Sequence, residues 1–579
     1  MMTGCVQTRW PLRLLCSIAV VSVISGCSPT HPIQTNDGST KTSDVRNFEK
    51  PPGANIQFVN MAESSGVTWI ARNGEESKKS ALLQMVGAGC AIDDYDCDGK
   101  LDLFFAGGGV FGKGREILPV PFGLYRQHSP WNYVSASKAA GLDPIRHYNH
   151  GTYTADIDND GFPDLLMTGW NGLQLFQNHG DGTFEDVTQS SGLTDSLWST
   201  AAGWGDFNRD NVLDLYVGHY TDWSLDNDPV CVDPTNKQRN LCAPTDFQGL
   251  PCTVYLSNGD GTYRDASVEL GIHEIGKVLG VVIADLNGDL QPDLYVANDA
   301  LPNHLYASQP SGNYREVAIE YGVALGETGV SDGSMGVDLG DLDGDGKIDI
   351  WVANYEQQSF ALYRNLGNEL FTHASRPLGI TAVGTLAVGF GTVIFDADGD
   401  GFSDIFCSNG HVWAPGSATE RRQRPYFFRS DRGNKFYNIA TDLQGYFNEL
   451  HLGRGAACGD LDGNGTPDLV VTHINEPVAL LRNDTSIANW LEVKLVGRVS
   501  NRSAIGASVS VKGKRASQIG IVKGGGSYLS TSDRTLFFGL GDEHFVESLV
   551  VRWPSGRTTE LTEVESGQKI LLIEERDGR

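Results

Sequence analysis

Short apolar runs recur along the chain, each bounded by Gly, Asn, Asp or Ser. Seven of them are "LFFAG", "LLMTG", "LYVGH", "LYVAN", "IWVAN", "IFCSN" and "LVVTH". Before each lies a weakly alternating stretch of small residues, such as "SMGVDLG" or "AVGFGTVIF". After each comes a second run, such as "LQLFQN", "TVYLSN", "NHLYAS" or "FALYRN", then a glycine turn and a third run, as in "NHGDGTFEDVTQSSGL". Runs of this length between turn residues predict β-strands. Four short antiparallel strands per unit, in seven units, predict an all-β, seven-bladed β-propeller over residues 56–484. Residues 56–69, "IQFVNMAESSGVTW", resemble the outer strand of a unit without its beginning. They are expected to complete the last blade and close the ring.

Composition narrows the partners. The 579 residues include 70 glycines, in keeping with many tight turns, and the net charge is −28. So acidic a chain lacks the basic surface that phosphate contacts need, which excludes nucleic acid as a main partner. A divalent cation or a basic partner suits it better.

The acid is concentrated in one repeated pattern, D-x-[DN]-x-[DN]-x-x-x-D, placed just before each of the seven apolar runs. The seven sets are Asp94, Asp96, Asp98 and Asp102; Asp156, Asp158, Asp160 and Asp164; Asp206, Asn208, Asp210 and Asp214; Asp285, Asn287, Asp289 and Asp293; Asp341, Asp343, Asp345 and Asp349; Asp396, Asp398, Asp400 and Asp404; Asp460, Asp462, Asn464 and Asp468. Carboxylates this close repel one another unless a cation lies among them. Oxygen donors at positions 1, 3, 5 and 9, with a backbone carbonyl at position 7, make a hard-cation shell of the kind Ca2+ takes. Up to seven structural calcium ions are therefore expected. An EF-hand needs helical flanks and Glu at position 12, where this chain has Phe105 and Val352 within predicted strands. Position 6 calls for positive φ, which Gly or Asn supplies. Leu290 occupies it in the fourth loop, so the site at 285–293 is the least well suited of the seven.

The ends of the chain differ from the repeats. Arg9 and Arg13 precede "LLCSIAVVSVI", and "ISGC" follows at 24–27. This pattern looks like a bacterial lipobox. It implies a signal peptide at 1–26, lipidation at Cys27 and, over 27–55, a polar tether. No later stretch is long enough to be a transmembrane helix, so membrane contact is expected through the lipid alone. Of the remaining cysteines, Cys90, Cys97, Cys231, Cys242, Cys252, Cys407 and Cys458, three crowd into "CVDPTNKQRNLCAPTDFQGLPC". A disulfide between two of these is expected, with the pair left open. Residues 485–575 read as a small β-domain of alternating strands. Its "GGGSYLSTSD" lacks the lysine and helix of a phosphate loop and reads as a structural turn.

Two resemblances fit these patterns. The loop followed by "LYxNxGDGTFxDVT"-like sequence resembles the FG-GAP/VCBS repeat family, found also in integrin α-subunits; that resemblance implies seven-bladed propellers with calcium in the loops. "NWLEVKLVG", "SAIGASVSV", "GGGSYLSTSDRTLFFGLG" and "VESLVVRWPSG" are together similar to the ASPIC/UnbV domain, which follows such repeats in proteins of the cartilage acidic protein type. The second resemblance implies a matrix or envelope role and brings no catalytic mechanism with it.

Loops on the face opposite the acidic motifs bring together Trp170, His219, Tyr220, Asp299, Asn354, Glu356, His411, Trp413, His473 and Glu476, with His147 and His150 nearby. Three readings compete. One is a face recognising an envelope or extracellular protein or glycan. Another is a catalytic or transition-metal site built on His219, His411 and His473 with Glu356 or Glu476. The third is a set of side chains that hydrogen-bond the loops. No catalytic residue is assigned. The expected protein is an exported, calcium-binding lipoprotein for adhesion or scaffolding, lipid-anchored in the envelope at the outer membrane or cell surface, or secreted. The alternative is a hydrolase or lyase acting on an extracellular polymer at that same face.

Overall fold

A computed structural model describes residues 56–232, 237–412, 421–514 and 517–576. The proposed signal peptide, Cys27 and the tether lie outside the described residues, as does Trp413.

Seven four-stranded antiparallel units are built in chain order. The first comprises Cys90–Asp93, Asp102–Phe105, Gly123–Ser129 and Asn132–Ser135; the second Tyr148–Ala155, Asp164–Trp170, Gly172–Asn178 and Phe184–Asp186. The third holds Ser199–Gly205, Asp214–His219, Thr253–Ser257 and Tyr263–Asp265; the fourth Val278–Ala284, Asp293–Asn298, His304–Ser308 and Tyr314–Glu316. The fifth holds Ser334–Gly340, Asp349–Asn354, Ala361–Gly367 and Leu370–His373; the sixth Gly389–Phe395, Asp404–Asn409, Tyr426–Ser430 and Phe436–Asn438. The seventh takes Gly453–Gly459, Asp468–His473 and Ala479–Asn483, and its outer strand is Phe58–Asn60 from the other end of the described chain. Phe58 pairs with Asn483 and Asn60 with Leu481, so the ring is closed by the segment expected to close it.

The first strand of each sheet touches the first strand of the next, in a closed cycle from Cys90–Asp93 round to Gly453–Gly459 and back. Converging backbones explain the glycines there. A methyl group on Gly280 would overlap the Met335 carbonyl, and one on Gly336 the Phe390 carbonyl.

After the seventh sheet the chain forms two further sheets. One pairs Leu536–Gly539, Trp490–Val496 and Gln568–Ile573; the other Ser517–Ile521, Ser508–Lys512, Phe545–Arg552 and Thr558–Glu565. Leu491, Val509, Val551 and Trp553 from these strands share one buried core with Tyr153, Trp204, Leu213 and Leu215 of the second and third sheets. This cap covers the side of the ring that carries the acidic loops: Arg502 N donates to Asn159 Oδ1 at 2.7 Å and Asp156 N to Ser503 Oγ at 3.0 Å.

The segment read as a turn does more than turn. Residues 524–531 run from the cap down the middle of the ring. Gly524 and Gly525 pair with Ile283 and Val282 as a fifth strand of the fourth sheet. Gly526 N donates to Val281 O, Val337 N to Ser527 O, Thr152 N to Leu529 O and Thr531 N to Cys90 O. Thr392 N donates to Ser527 Oγ, whose own hydrogen goes to Ala456 O at 2.7 Å. Inner strands of six sheets therefore spend backbone groups on this one segment, and Tyr528 and Leu529 are fully buried within it. Its small polar residues suit a narrow channel lined by backbone, and its glycines allow the close approach.

Candidate functional site

Each acidic loop follows the innermost strand of its sheet, and all the loops fold alike. In the fifth, Asp341 Oδ1 accepts from Gly344 N at 2.8 Å and Asp345 N at 3.2 Å, and Oδ2 from Gly346 N at 3.0 Å. Asp345 Oδ1 accepts from Lys347 N at 2.9 Å. Asp349 Oδ2 reaches back to Leu342 N at 3.1 Å, and Oδ1 reaches the third strand at Asn365 N, 2.8 Å. That last clamp recurs in every loop. Asp102, Asp164, Asp214, Asp293, Asp404 and Asp468 each hold one amide of their own loop and one of the third strand, as in Gln127 N to Asp102 at 2.8 Å and Asn483 N to Asp468 at 2.8 Å. Position 9 thus ties three strands together besides offering lone pairs. Sequence reasoning treated it only as a ligand.

Position 6 has positive φ throughout: 85° at Gly99, 107° at Gly161, 67° at Asn211, 81° at Gly346, 93° at Gly401 and 85° at Gly465. Leu290 follows suit at 65°, so the fourth loop keeps the fold at a cost in backbone strain.

The carboxylates at positions 1, 3 and 9 converge. Oxygens of Asp94, Asp96 and Asp102 lie within 4.8 Å of one another, as do those of Asp156, Asp158 and Asp164, of Asp341, Asp343 and Asp349, and of Asp396, Asp398 and Asp404. Burial pushes Asp102, Asp214 and Asp293 up to about 8, Asp156 and Asp349 to about 7 and Asp206 to about 6, with neighbouring carboxylates adding to the rise. Oδ1 of Asp96 and of Asp398 is buried and accepts no hydrogen bond. Orphaned oxygens in a converging, buried, all-oxygen set are what a hard cation would satisfy, so the residues fit calcium.

A pattern missed in the sequence lies on the third strand, one residue before the clamped amide. Arg429 Nε sits 2.7 Å from Asp398 Oδ2, Arg126 Nε 3.9 Å from Asp96, and Arg364 pairs with Asp343. Gln177 Nε2 donates to Asp158 Oδ2 at 2.6 Å. In the third and fourth repeats, position 3 is Asn208 or Asn287 and the third-strand residue is Leu256 or Ala307. In four of the five repeats with a charged position 3, that carboxylate has a polar partner across the strand; the two neutral ones have an apolar neighbour. Aligning the seven repeats on position 9 would have found this.

The opposite face is less open than its sequence suggested. His219 is fully buried, with Nδ1 2.6 Å from Pro251 O and Nε2 2.8 Å from Asp195 Oδ2. Burial raises Asp195, but its bonds with His219 and Ser199 outweigh this and hold it below its ordinary value. Tyr220 donates to Asp299 Oδ2 at 2.5 Å, and burial lifts Asp299 to about 6. Asn354 donates to Asp332 Oδ2 and Ser359 O. His473 is buried between Pro477 O at 2.6 Å and the Tyr446 hydroxyl at 3.0 Å. These five side chains hold loops in place. Trp170 packs edge-on against Trp223, Glu356 pairs with His411 at 3.1 Å, and Glu476 pairs with Arg422 at 2.6 Å; these four are partly exposed. His219, His411 and His473 have separate partners, so the structure does not assemble them into the metal or catalytic trio considered from the sequence. Another group does meet: Tyr446, His451 and His473 stack at 4.1 and 5.0 Å, with Glu476 3.9 Å from His451 Nδ1.

The disulfide left open by the sequence is Cys231–Cys242. Cys90, Cys97, Cys252, Cys407 and Cys458 are free thiols, and Cys97 alone among these is exposed. Among the described residues no helix is long and apolar enough to cross a membrane.

Comparisons with known proteins agree with the repeats and the cap. Residues 156–217, 285–352 and 341–407 match the FG-GAP-like repeat model, and residues 497–579 match the model described as ASPIC and UnbV. Cartilage acidic protein 1 of Mus musculus is 23% identical over 532 residues, covering 84% of this chain and 74% of that protein. The Homo sapiens protein of the same name is 22% identical, covering 84% and 71%. A solved structure, titled as the structural basis of specific recognition of non-reducing terminal N-acetylglucosamine by an Agrocybe aegerita lectin, aligns at a TM-score of 0.35 and 14% identity, over 64% of this chain and 89% of that one.

Proposed function

We propose that this chain, with its FG-GAP-like repeats, its ASPIC/UnbV segment and its similarity to cartilage acidic protein 1, is an extracytoplasmic calcium-binding protein that works by adhesion or scaffolding. The single observation that carries the binding reading is the filled channel. The ring axis, where a propeller would place a recessed small-molecule site, is taken by residues 524–531, with Tyr528 and Leu529 at its centre. A filled axis favours the outer surface for a partner, and a broad outer surface suits a protein or glycan of the envelope or matrix. The converging oxygens of the loops support calcium as a structural ion. The Cys231–Cys242 disulfide supports an oxidising compartment, and the lipobox-like "ISGC" supports an acyl anchor at Cys27.

The test is a pull-down with the purified protein as bait, against envelope proteins and extracellular polysaccharides, in calcium and again in chelator. A partner retained with calcium supports the reading and names the ligand class. A folded, calcium-loaded bait that retains nothing rejects high-affinity binding. Mass spectrometry of the N-terminal peptide from membranes checks the anchor: a diacylglyceryl cysteine at position 27 is expected.

A hydrolase or lyase remains the second reading, and Tyr446, His451, His473 and Glu476 are the observation that favours it. Both nitrogens of His473 are bonded within the fold, and His451 Nε2 lies 3.0 Å from Tyr446 O. Only His451 Nδ1, facing Glu476, is placed for proton transfer. Turnover of a polymer that is lost in His451→Gln would establish this reading over the first.

A further inference from the structure

The seven acidic loops share one sequence pattern and one fold. Basic side chains reach position 3 or 5 in several of them, as Lys100 reaches Asp98, Lys347 Asp345 and Arg429 Asp398, but among the described residues the seventh alone has one within hydrogen-bond distance of position 1. Lys569 Nζ lies 2.7 Å from Asp460 Oδ2, the position-1 carboxylate, and 2.9 Å from Glu492 Oε2. The nearest counterpart is in the second loop, where Arg502 Nε stands 3.7 Å from Asp156 Oδ2, beyond hydrogen-bond distance. The other outward oxygens of the seventh loop are satisfied as well. Asp462 Oδ2 accepts from the Trp131 indole at 2.7 Å, in contrast with the orphaned oxygens of Asp96 and Asp398. Asn464 Oδ1 accepts from Thr466 N at 2.8 Å and from the Thr466 hydroxyl at 2.5 Å. Arg482, which stands where Arg126, Arg364 and Arg429 engage position 3 of their own loops, pairs instead with Asp484 at 2.6 Å.

Lys569 and Glu492 both come from the cap. They face each other as register partners on two parallel strands, Gln568–Ile573 and Trp490–Val496. An ammonium fixed between two carboxylates by strand register is charge-assisted on both sides. It stands where a divalent ion would contact Asp460, and the two cations would repel at that range.

We propose that the seventh loop is a latch and not an ion site: the Lys569 ammonium takes the place of calcium at Asp460 and ties the cap to the sheet that closes the ring. This rests on the calcium reading of the other loops and narrows it.

Counting bound calcium tests it, by equilibrium dialysis of the purified protein followed by elemental analysis. Lys569→Met is expected to bind one more ion per chain than the wild type, since Asp460 and Glu492 are then released to an ion. Asp460→Asn is expected to leave the wild-type count unchanged, whereas Asp341→Asn lowers it by one. Equal, non-zero counts in wild type and Lys569→Met overturn the latch and leave the calcium reading intact; so does the loss of one ion in Asp460→Asn. A wild type that binds no calcium overturns both. Should Lys569→Met fail to fold, the contrast between Asp460→Asn and Asp341→Asn decides the matter by itself.

Discussion

The Tyr528 hydroxyl donates its hydrogen to the Val86 carbonyl at 2.9 Å, across 442 residues of chain. Val86 immediately precedes the first sheet; Tyr528 is near the tip of the cap's inserted segment. Phe390 packs edge-on against the Tyr528 ring at 5.0 Å, and the buried Arg454 guanidinium lies 3.9 Å over that same phenyl ring. The segment before the first sheet, the cap and the sixth and seventh sheets therefore meet around Tyr528 and Phe390 in the channel. The cap is in this sense part of the ring's core.

From this follows a large cost for emptying the channel. Tyr528→Ala should destabilise the protein by about 3–5 kcal/mol, the usual range for a buried aromatic truncated to a methyl group. Tyr528→Phe should cost about 1 kcal/mol, leaving the Val86 carbonyl unpaired but the volume filled. Urea unfolding midpoints check both. A ring cut after residue 484 should lose the cooperative transition altogether.

At position 9 the carboxylate ties strands as well as offering lone pairs, and the two roles can be separated. Asp349→Asn keeps one acceptor oxygen and loses the charge; calcium should then raise Tm less than it does in the wild type. Without calcium the variant should still unfold before the wild type, by about 1–3 kcal/mol, because the Asn amide nitrogen cannot accept from one of the two clamped N–H groups, that of Leu342 or that of Asn365. On the calcium reading, an ion held by the folded loops alone stabilises the fold in proportion to occupancy, so the Tm of the wild type should climb with calcium concentration and fall back in chelator. Scanning calorimetry across a calcium series measures this.

Much of the ring was legible in the sequence, because each repeat carries its own turn chemistry and its own strand pattern. Gly99, Asn211 and Gly346 announce positive φ, and "LYVAN" or "IWVAN" announces a strand buried on both faces. The closing strand at Phe58–Asn60 was legible as an incomplete repeat. The path of residues 524–531 was not. Its partners are backbone amides and carbonyls of six different sheets, and backbone groups leave no signature in the residues that own them. The far-face residues misled for a related reason. His219, Asn354 and His473 sit at strand ends next to loops, where a polar side chain can point to solvent or turn back to a carbonyl. Only the position of Pro251 O or Pro477 O decides which.

Two buried histidines set a dependence on pH. His150 holds the Gly87 carbonyl with Nδ1 at 2.9 Å and receives the Trp198 indole hydrogen at Nε2, 3.2 Å. That arrangement needs neutral imidazole with its proton on Nδ1, and burial lowers the pKa to about 4. His473 is likewise held down to about 4, by burial and by the neighbouring His451. In the unfolded chain both titrate near 6.5. Between roughly pH 6.5 and 4 the unfolded state binds more protons at these two groups, so their contribution to stability falls as pH drops through that window and is fully present above it. Each histidine contributes about 3 kcal/mol over the whole window, at 1.36 kcal/mol per pKa unit. Their ring resonances in NMR spectra of the folded protein should stay in the neutral form at pH 5.5; a midpoint above 6 for either would contradict the assigned hydrogen bonds.

Leu290 is the one branched residue among the seven position-6 sites, and it is held at a φ of 65°. The left-handed region costs an L-residue with a Cβ about 1–2 kcal/mol. The side chain is 42% exposed, so only part of a leucine's apolar burial is lost when it is removed. Leu290→Gly should therefore stabilise the fourth loop, by about 0.5–1 kcal/mol once the greater freedom of glycine in the unfolded chain is set against the relief. The same substitution should tighten calcium at that loop, since Asp285 Oδ2 accepts from the residue-290 amide at 2.8 Å and the turn holding Asp285 and Asp289 is then unstrained. At the fifth loop, Gly346→Leu should do the reverse. A Leu290→Gly protein with a lower Tm, both with and without calcium, would mean that the leucine side chain holds the loop through contacts worth more than its strain.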